Sequence, residues 1–246
     1  MGRMFEKRKA TMFKRWDRMA KAFTRVGKEI SIAVKAGGPN PDHNPMLRRA
    51  MLNARACNMP KDKVEAAIAK ASGADAESYD ELIYEGYAPH GIALVIVTAT
   101  DNPTRTVANV RLALKKGEGN LGSSGSVLFG FEHQGVFKVK AEGQDADELE
   151  LELIDHGLVD MERLDADEEN EENEEPAMLV LRCDFTDFGT MQAAVEDMGL
   201  EALSSDDEYV PSNVMELGED ETTAVLELID RLEQDDDVQK VFHNLA

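Results

Sequence analysis

The periodicity of this chain predicts an α+β fold of three domains: an N-terminal three-helix domain plus two α/β sandwich domains, one ferredoxin-like and inserted into the other. Three observations lead there. Apolar residues of the first 75 positions recur every three or four residues, the period of a helix. Beyond them the period falls to two, strands alternate with helices, and one stretch runs βαββαβ, the ferredoxin-like order. Charge divides along the same line, with 17 Lys and Arg against 6 Asp and Glu in residues 1–70, and 10 against 43 in residues 71–246. The net charge of −22 therefore sums a cationic end and a strongly anionic body. The expected bounds are 1–76 for a basic helical domain, 77–133 with 211–246 for a discontinuous α/β domain, and 134–210 for the ferredoxin-like unit.

Phe13, Trp16, Ala20, Phe23, Gly27, Ile30 and Val34 form the apolar stripe of a first helix of about 24 residues, closed by Gly37-Gly38-Pro39. Asn44 as N-cap with Pro45 in first position opens a second helix, with Leu47, Ala50, Met51 and Ala54 inward. It breaks at Asn58-Met59-Pro60, and a third helix buries Val64, Ala67, Ile68 and Ala71 before Ser72-Gly73. Strands follow at 81–87 and 92–100, joined by Ala88-Pro89-His90-Gly91. Asn102 and Pro103 open a helix with Val107, Val110 and Leu114 inward, and a glycine-rich loop from Gly117 to Gly125 leads to a strand at 126–132.

The βαββαβ unit is expected as strand 136–141, helix 145–156, strands 158–164 and 178–184, helix 187–198 and strand 200–210. Its middle hairpin is interrupted by 165–176, in which 8 of 12 residues are acidic, too polar to pack and best read as a solvated loop. A last helix at 219–233 and strand at 238–243 complete the first sheet.

Composition excludes several classes. The longest uncharged apolar run, Gly91 to Thr100, has half the length a membrane-spanning helix needs and reads as a buried strand. Cys57 and Cys183 stand far apart, in no metal-ligand spacing and with no secretory leader before them, which points to a reduced, cytoplasmic protein. The five histidines are scattered, so no metal site is expected. No nucleophile elbow, dinucleotide fingerprint or singled-out carboxylate pair is present, and neither enzymatic activity nor a cofactor is expected.

What remains is charge on one helix. Lys14, Arg18, Lys21, Arg25, Lys28 and Lys35 repeat with the apolar residues but point about 150° away from them, and Arg3, Lys7, Arg8 and Lys9 extend this face upstream, with Arg15 beside it. Such a stripe suits phosphate contact, because each Lys or Arg that neutralises a phosphate releases counterions whatever the base. Base readout is poorly supported. The third helix sets Lys61, Lys63 and Lys70 against Asp62 and Glu65 and has no Arg, Asn or Gln in its first turn. The glycine-rich loop follows a helix and opens a strand, the reverse of a nucleotide-binding P-loop. Asp101, Asn102 and Arg105, at a strand-to-helix junction, together with Asn120 make a secondary polar site in which capping already explains Asn102.

The chain resembles the YebC/PmpR family over nearly its whole length. The resemblance rests on Lys21-Ala-Phe-Thr-Arg25 with Lys28-Glu29-Ile30, on Gly37-Gly38-Pro39-Asn40-Pro41 with Asn44-Pro45-Met46-Leu47-Arg48, and on Asn58-Met59-Pro60-Lys61-Asp62. It continues through Tyr84-Glu85-Gly86-Tyr87-Ala88-Pro89, Thr100-Asp101-Asn102, Arg105-Thr106-Val107, Gly119-Asn120-Leu121-Gly122 and Asp237-Val238-Gln239-Lys240-Val241. The family's usual opening resembles Gly-His-Ser-Lys-Trp, and here Gly2-Arg3-Met4-Phe5 stands instead. The resemblance implies three domains and a cytoplasmic, nucleic-acid-binding regulator of transcription. The alternative it implies is a ribosome-associated translation factor that binds ribosomal RNA and relieves stalling, for example at proline runs.

Overall fold

The computed structural model describes residues 2–73, 76–165 and 177–246, with side chains described from Arg18 onward. The first helix, α1 (Gly2–Gly37), starts well before the expected Phe13. Upstream residues such as Glu6, Lys7, Arg8, Lys9 and Ala10 are strong helix formers, and nothing before Gly27 interrupts them. Gly38 ends the helix in the left-handed region (φ 84°), its N–H donating to Val34 O at 2.8 Å. Asn44 then fastens one helix to the next. Its Nδ2 donates to Ala33 O (2.7 Å) and Gly38 O (2.8 Å), while its Oδ1 accepts from Leu47 N, capping α2 (Pro45–Ala56). After Asn58 turns the chain at φ 58°, α3 (Lys61–Ala71) completes the helical part.

The helical core joins Val26, Ile30, Ala33 and Val34 to Leu47, Ala50, Ala54, Val64 and Ala71. It begins later on α1 than expected. Ala20 is exposed and Phe23 half-buried, because α2 and α3, of 12 and 11 residues, span only about 18 and 16 Å against about 54 Å for α1. Short partners cover the C-terminal part of a long helix. The expected inward positions Phe13 and Trp16 lie outside the described side chains.

Strands β1 (Asp80–Tyr87), β2 (Ala93–Thr100), β3 (Asn120–Leu121) and β8 (Val238–His243) make an antiparallel sheet in the order β3-β1-β2-β8. Helices α4 (Pro103–Lys116) and α7 (Glu219–Glu233) cover one face, packing Val110, Leu114, Val225 and Leu228 on Ile92, Leu94, Ile96 and Val238. On the other face Val95 meets Phe131 and Tyr209, so β2 is covered on both sides and reads as an unbroken apolar run.

The second sheet runs β4 (Phe131–Lys140), α5 (Ala146–Ile154), β5 (Leu158–Leu164), β6 (Met178–Asp184), α6 (Phe188–Asp197) and β7 (Ala202–Pro211), with strand order β5-β6-β4-β7. Phe137, Val139, Leu179 and Leu181 pack there under Leu149, Leu153, Met191 and Val195. One expectation is corrected. Residues 126–132 and 136–141 are not two strands but one, β4, preceded by a short 3-10 turn at Leu128–Gly130. Gly135, between the two expected strands, gives room for close neighbours: a Cβ there would lie 2.7 Å from Phe188 Cδ2 and 2.9 Å from Cys183 Sγ. The acidic stretch 166–176 lies outside the described residues.

The helical part docks on the edge of the second sheet. Asn53 of α2 donates from Nδ2 to Ser205 O (3.0 Å) and accepts at Oδ1 from Ser205 N (3.2 Å), so a side-chain amide takes the place of a neighbouring strand on β7. Arg48 adds a two-pronged pair to Glu196, both bonds 3.1 Å. Among the described residues no helix is long and apolar enough to cross a membrane.

Candidate nucleic-acid interface

The cationic face of α1 divides where it meets the body. Lys28 is buried, at 8% exposure. Its three ammonium protons are all consumed internally, by Ala99 O at 2.8 Å, Asp236 O at 2.7 Å and Asp237 Oδ1 at 2.9 Å. Lys28 is therefore corrected from a phosphate contact to the residue that clamps α1 onto the first sheet. The spacing was right, but the stripe turns inward once α1 reaches the loop between α7 and β8.

Arg25 follows it in part, with Nη2 donating to Glu233 O at 3.3 Å, and Lys21 lies beside it in a notch shared with Glu233, Asp235 and Asp236. Lys35 is exposed and donates to Ala76 O at 2.7 Å. Arg18 is exposed and forms no ion pair among the described residues. The side chains of Arg3, Lys7, Arg8, Lys9, Lys14 and Arg15 lie outside the described residues, although the helix backbone that carries them is described.

The lysines of α3 are engaged as well. Lys61 pairs with Glu65 (3.7 Å), Lys70 with Glu77 (3.2 Å), and Lys63 lies 5.1 Å from the centroid of the Phe23 ring.

Asp237 is the hub that sequence reading missed. Only 4% exposed, it takes Lys28 on Oδ1, while Oδ2 accepts from Arg105 (Nη2 2.7 Å, Nε 3.2 Å), Thr106 Oγ1 (2.8 Å) and Thr100 Oγ1 (3.2 Å). Burial alone raises the affinity of this carboxyl for its proton, but the hydrogen bonds from Arg105, Lys28 and Thr106 outweigh it and hold the pKa at about 2. The expected polar site at Asp101, Asn102 and Arg105 is tied into this network from its surface side, with the side chains of Arg105 and Asp101 46% and 49% exposed. Asp101 takes the same guanidinium at 2.7 Å, and Asn102 caps α4 by accepting from Arg105 N at 3.1 Å. Asn120 is exposed on β3, paired through its backbone with Tyr87, and its side chain makes no hydrogen bond among the described residues.

The glycine-rich loop has its own anion built in. Glu85, 4% exposed on β1, accepts from Gly125 N (2.5 Å), Val127 N (2.6 Å) and Leu128 N (2.8 Å). Burial pushes its pKa up, and these amides more than reverse the effect, leaving it below the ordinary value. Donors that would cradle a phosphate are spent on this carboxylate. An acid inside the apolar pattern of β1 was the signal available in the sequence.

Comparison with known proteins places these features in a family. A model described as the TACO1/YebC protein N-terminal domain matches residues 3–74, and one described as the TACO1/YebC second and third domain matches residues 79–245. The chain is 60% identical over 246 residues, all of both chains, to a "Probable transcriptional regulatory protein" of Myxococcus xanthus. It is 49% identical to one of Flavobacterium johnsoniae, covering 100% of this chain and 99% of that one. A crystal structure of a conserved hypothetical protein from Aquifex aeolicus superimposes with a TM-score of 0.75 at 32% identity, over 92% of this chain and 90% of that one. With matches that run from the basic helix to the last strand, the chain belongs to the TACO1/YebC family.

Proposed function

We propose that this chain is a non-enzymatic regulator of transcription that grips the phosphate backbone of duplex DNA with the N-terminal part of α1. The observation that carries the reading is the divided stripe: Lys28 and Arg25 tie α1 to the loop between α7 and β8, while Arg18 is left exposed. Upstream of it the sequence adds Arg3, Lys7, Arg8, Lys9, Lys14 and Arg15 against only Glu6 and Asp17. A helix already formed and anchored at Lys28 lowers the ordering cost of binding, and an anionic body restricts a polyanion to it. The printed names of the relatives, probable transcriptional regulatory proteins, agree with this reading. Within it, the chain is divided into three domains, 1–76, 77–133 with 211–246, and 134–210.

The test compares Arg8→Glu/Lys14→Glu/Arg18→Glu with Lys28→Met in a fluorescence anisotropy titration of labelled duplex DNA. The triple variant should lose about tenfold or more in affinity with an unchanged thermal midpoint, and Lys28→Met should lose stability first. Equal DNA affinity in the triple variant and the parent overturns the reading. Enrichment on ribosomes with no affinity for duplex DNA does so too.

A further inference from the structure

We infer that α4 carries a second phosphate-contact surface, Arg111, Lys115 and Lys116, and that one polyanion bridges it and α1. This rests on the proposed function and adds the other side of the grip. The observation is where positive charge survives in an anionic body. Residues 71–246 hold 10 Lys and Arg. Five of these are engaged by the protein's own carboxylates: Arg105 with Asp237, Lys140 with Glu201, Arg163 with Asp165, Arg182 with Asp160, and Lys240 with Asp206. Of the other five, which have no ion pair among the described residues, three lie within the last six residues of α4.

The helix itself is anomalous for its surroundings. All its charged residues are basic, whereas α5 and α6 carry only acids and α7 sets six acids against Arg231. Interaction with the helix dipole favours cations in a last turn and accounts for Lys115 and Lys116 in part. It does not reach Arg111, which precedes that turn, nor does it explain the exclusion of every acid along 14 residues. Thr106, Val110 and Leu114 face the sheet, and Arg111, Leu112, Lys115 and Lys116 face solvent. Arg111 and Lys115 are one turn apart on that face, about 6 Å between their Cβ atoms.

The two basic helices meet at one carboxylate. Lys28 of α1 holds Asp237 Oδ1 and Arg105 of α4 holds Asp237 Oδ2. From that point Arg18 lies ten residues along α1 and Lys115 ten residues along α4, each about 15 Å of helix away. Asp237 thus ties the two basic helices together at one point, from which both cationic ends extend. Backbone contact of this kind carries no base information.

The test uses the full chain and a labelled duplex of about 30 base pairs, long enough to reach both helices. For Arg111→Gln/Lys115→Gln/Lys116→Gln, affinity should fall about tenfold or more and the log–log salt slope should become shallower by about 2.7, because fewer counterions are released. The glutamate version should weaken binding further, and the thermal midpoint of the glutamine variant should match the parent. An α4 variant with parental affinity and slope, beside an α1 variant that has lost binding, overturns this inference and leaves the proposed function standing. No binding by the parent overturns both.

Discussion

Asp237 shows how one buried carboxylate can organise a molecule of several parts. With both oxygens occupied by Lys28, Arg105, Thr106 and Thr100, it joins α1, α4, β2 and the start of β8. Its pKa of about 2 lies below the ordinary carboxylate value, so its stabilising contribution is complete above about pH 4 and is lost as pH falls toward 2, about 2 kcal/mol in all. Thermal midpoints measured between these limits should show a fall that is absent from Asp237→Asn. The same variant should be less stable at neutral pH by about 3 kcal/mol, because Lys28 remains buried without its counter-charge. Glu29 behaves in the opposite sense: burial, with Asp206 nearby, raises its pKa, and its Oε2 has no hydrogen-bond partner. A raised acid loses stability as pH climbs through its folded value, so Glu29→Gln should raise the midpoint at pH 8 and do little at pH 4, read by calorimetry. Neither role was legible beforehand. Asp237 sits in a run of three aspartates that reads as a turn, and Glu29 lies within a helix pattern that shows only its spacing.

Elements were legible where local chemistry decides them. Asn44-Pro45 and Asn102-Pro103 mark the starts of α2 and α4 because a capping side chain and a proline at the first position satisfy local requirements alone. The continuity of β4 through Gly135 was not legible, because the reason for a glycine there is tertiary, the close approach of Phe188 and Cys183. Gly135→Ala should destabilise by about 1–3 kcal/mol through overpacking, measured by urea unfolding, whereas a turn glycine at an ordinary φ would tolerate alanine. The use of Asn53 on the edge of β7 was equally hidden, since an asparagine inside a helix declares no partner. Asn53→Ala removes both bonds to Ser205 and should cost about 1–3 kcal/mol. It should also raise light scattering near the midpoint, because an uncovered strand edge invites pairing with other chains.

Charge organises the whole molecule. A helical part with a net excess of basic residues is held on a body in which acids outnumber bases 43 to 10, and its cations divide between two tasks. Those near the body, Lys28 above all, hold it in place, and those beyond are the ones proposed to meet a polyanion. The division was invisible in the sequence because one spacing carries both groups. Only the position of the loop between α7 and β8 along α1 tells them apart. The overall α+β class was legible because it follows from period and charge, quantities that survive without knowledge of any contact.

The most direct test of phosphate contact by α1 is the dependence of duplex DNA affinity on salt, measured by anisotropy between about 50 and 200 mM. With at least five phosphates neutralised, the log–log slope should be about −4 or steeper. A slope near zero, with binding retained across the range, would contradict phosphate contact by the basic helix.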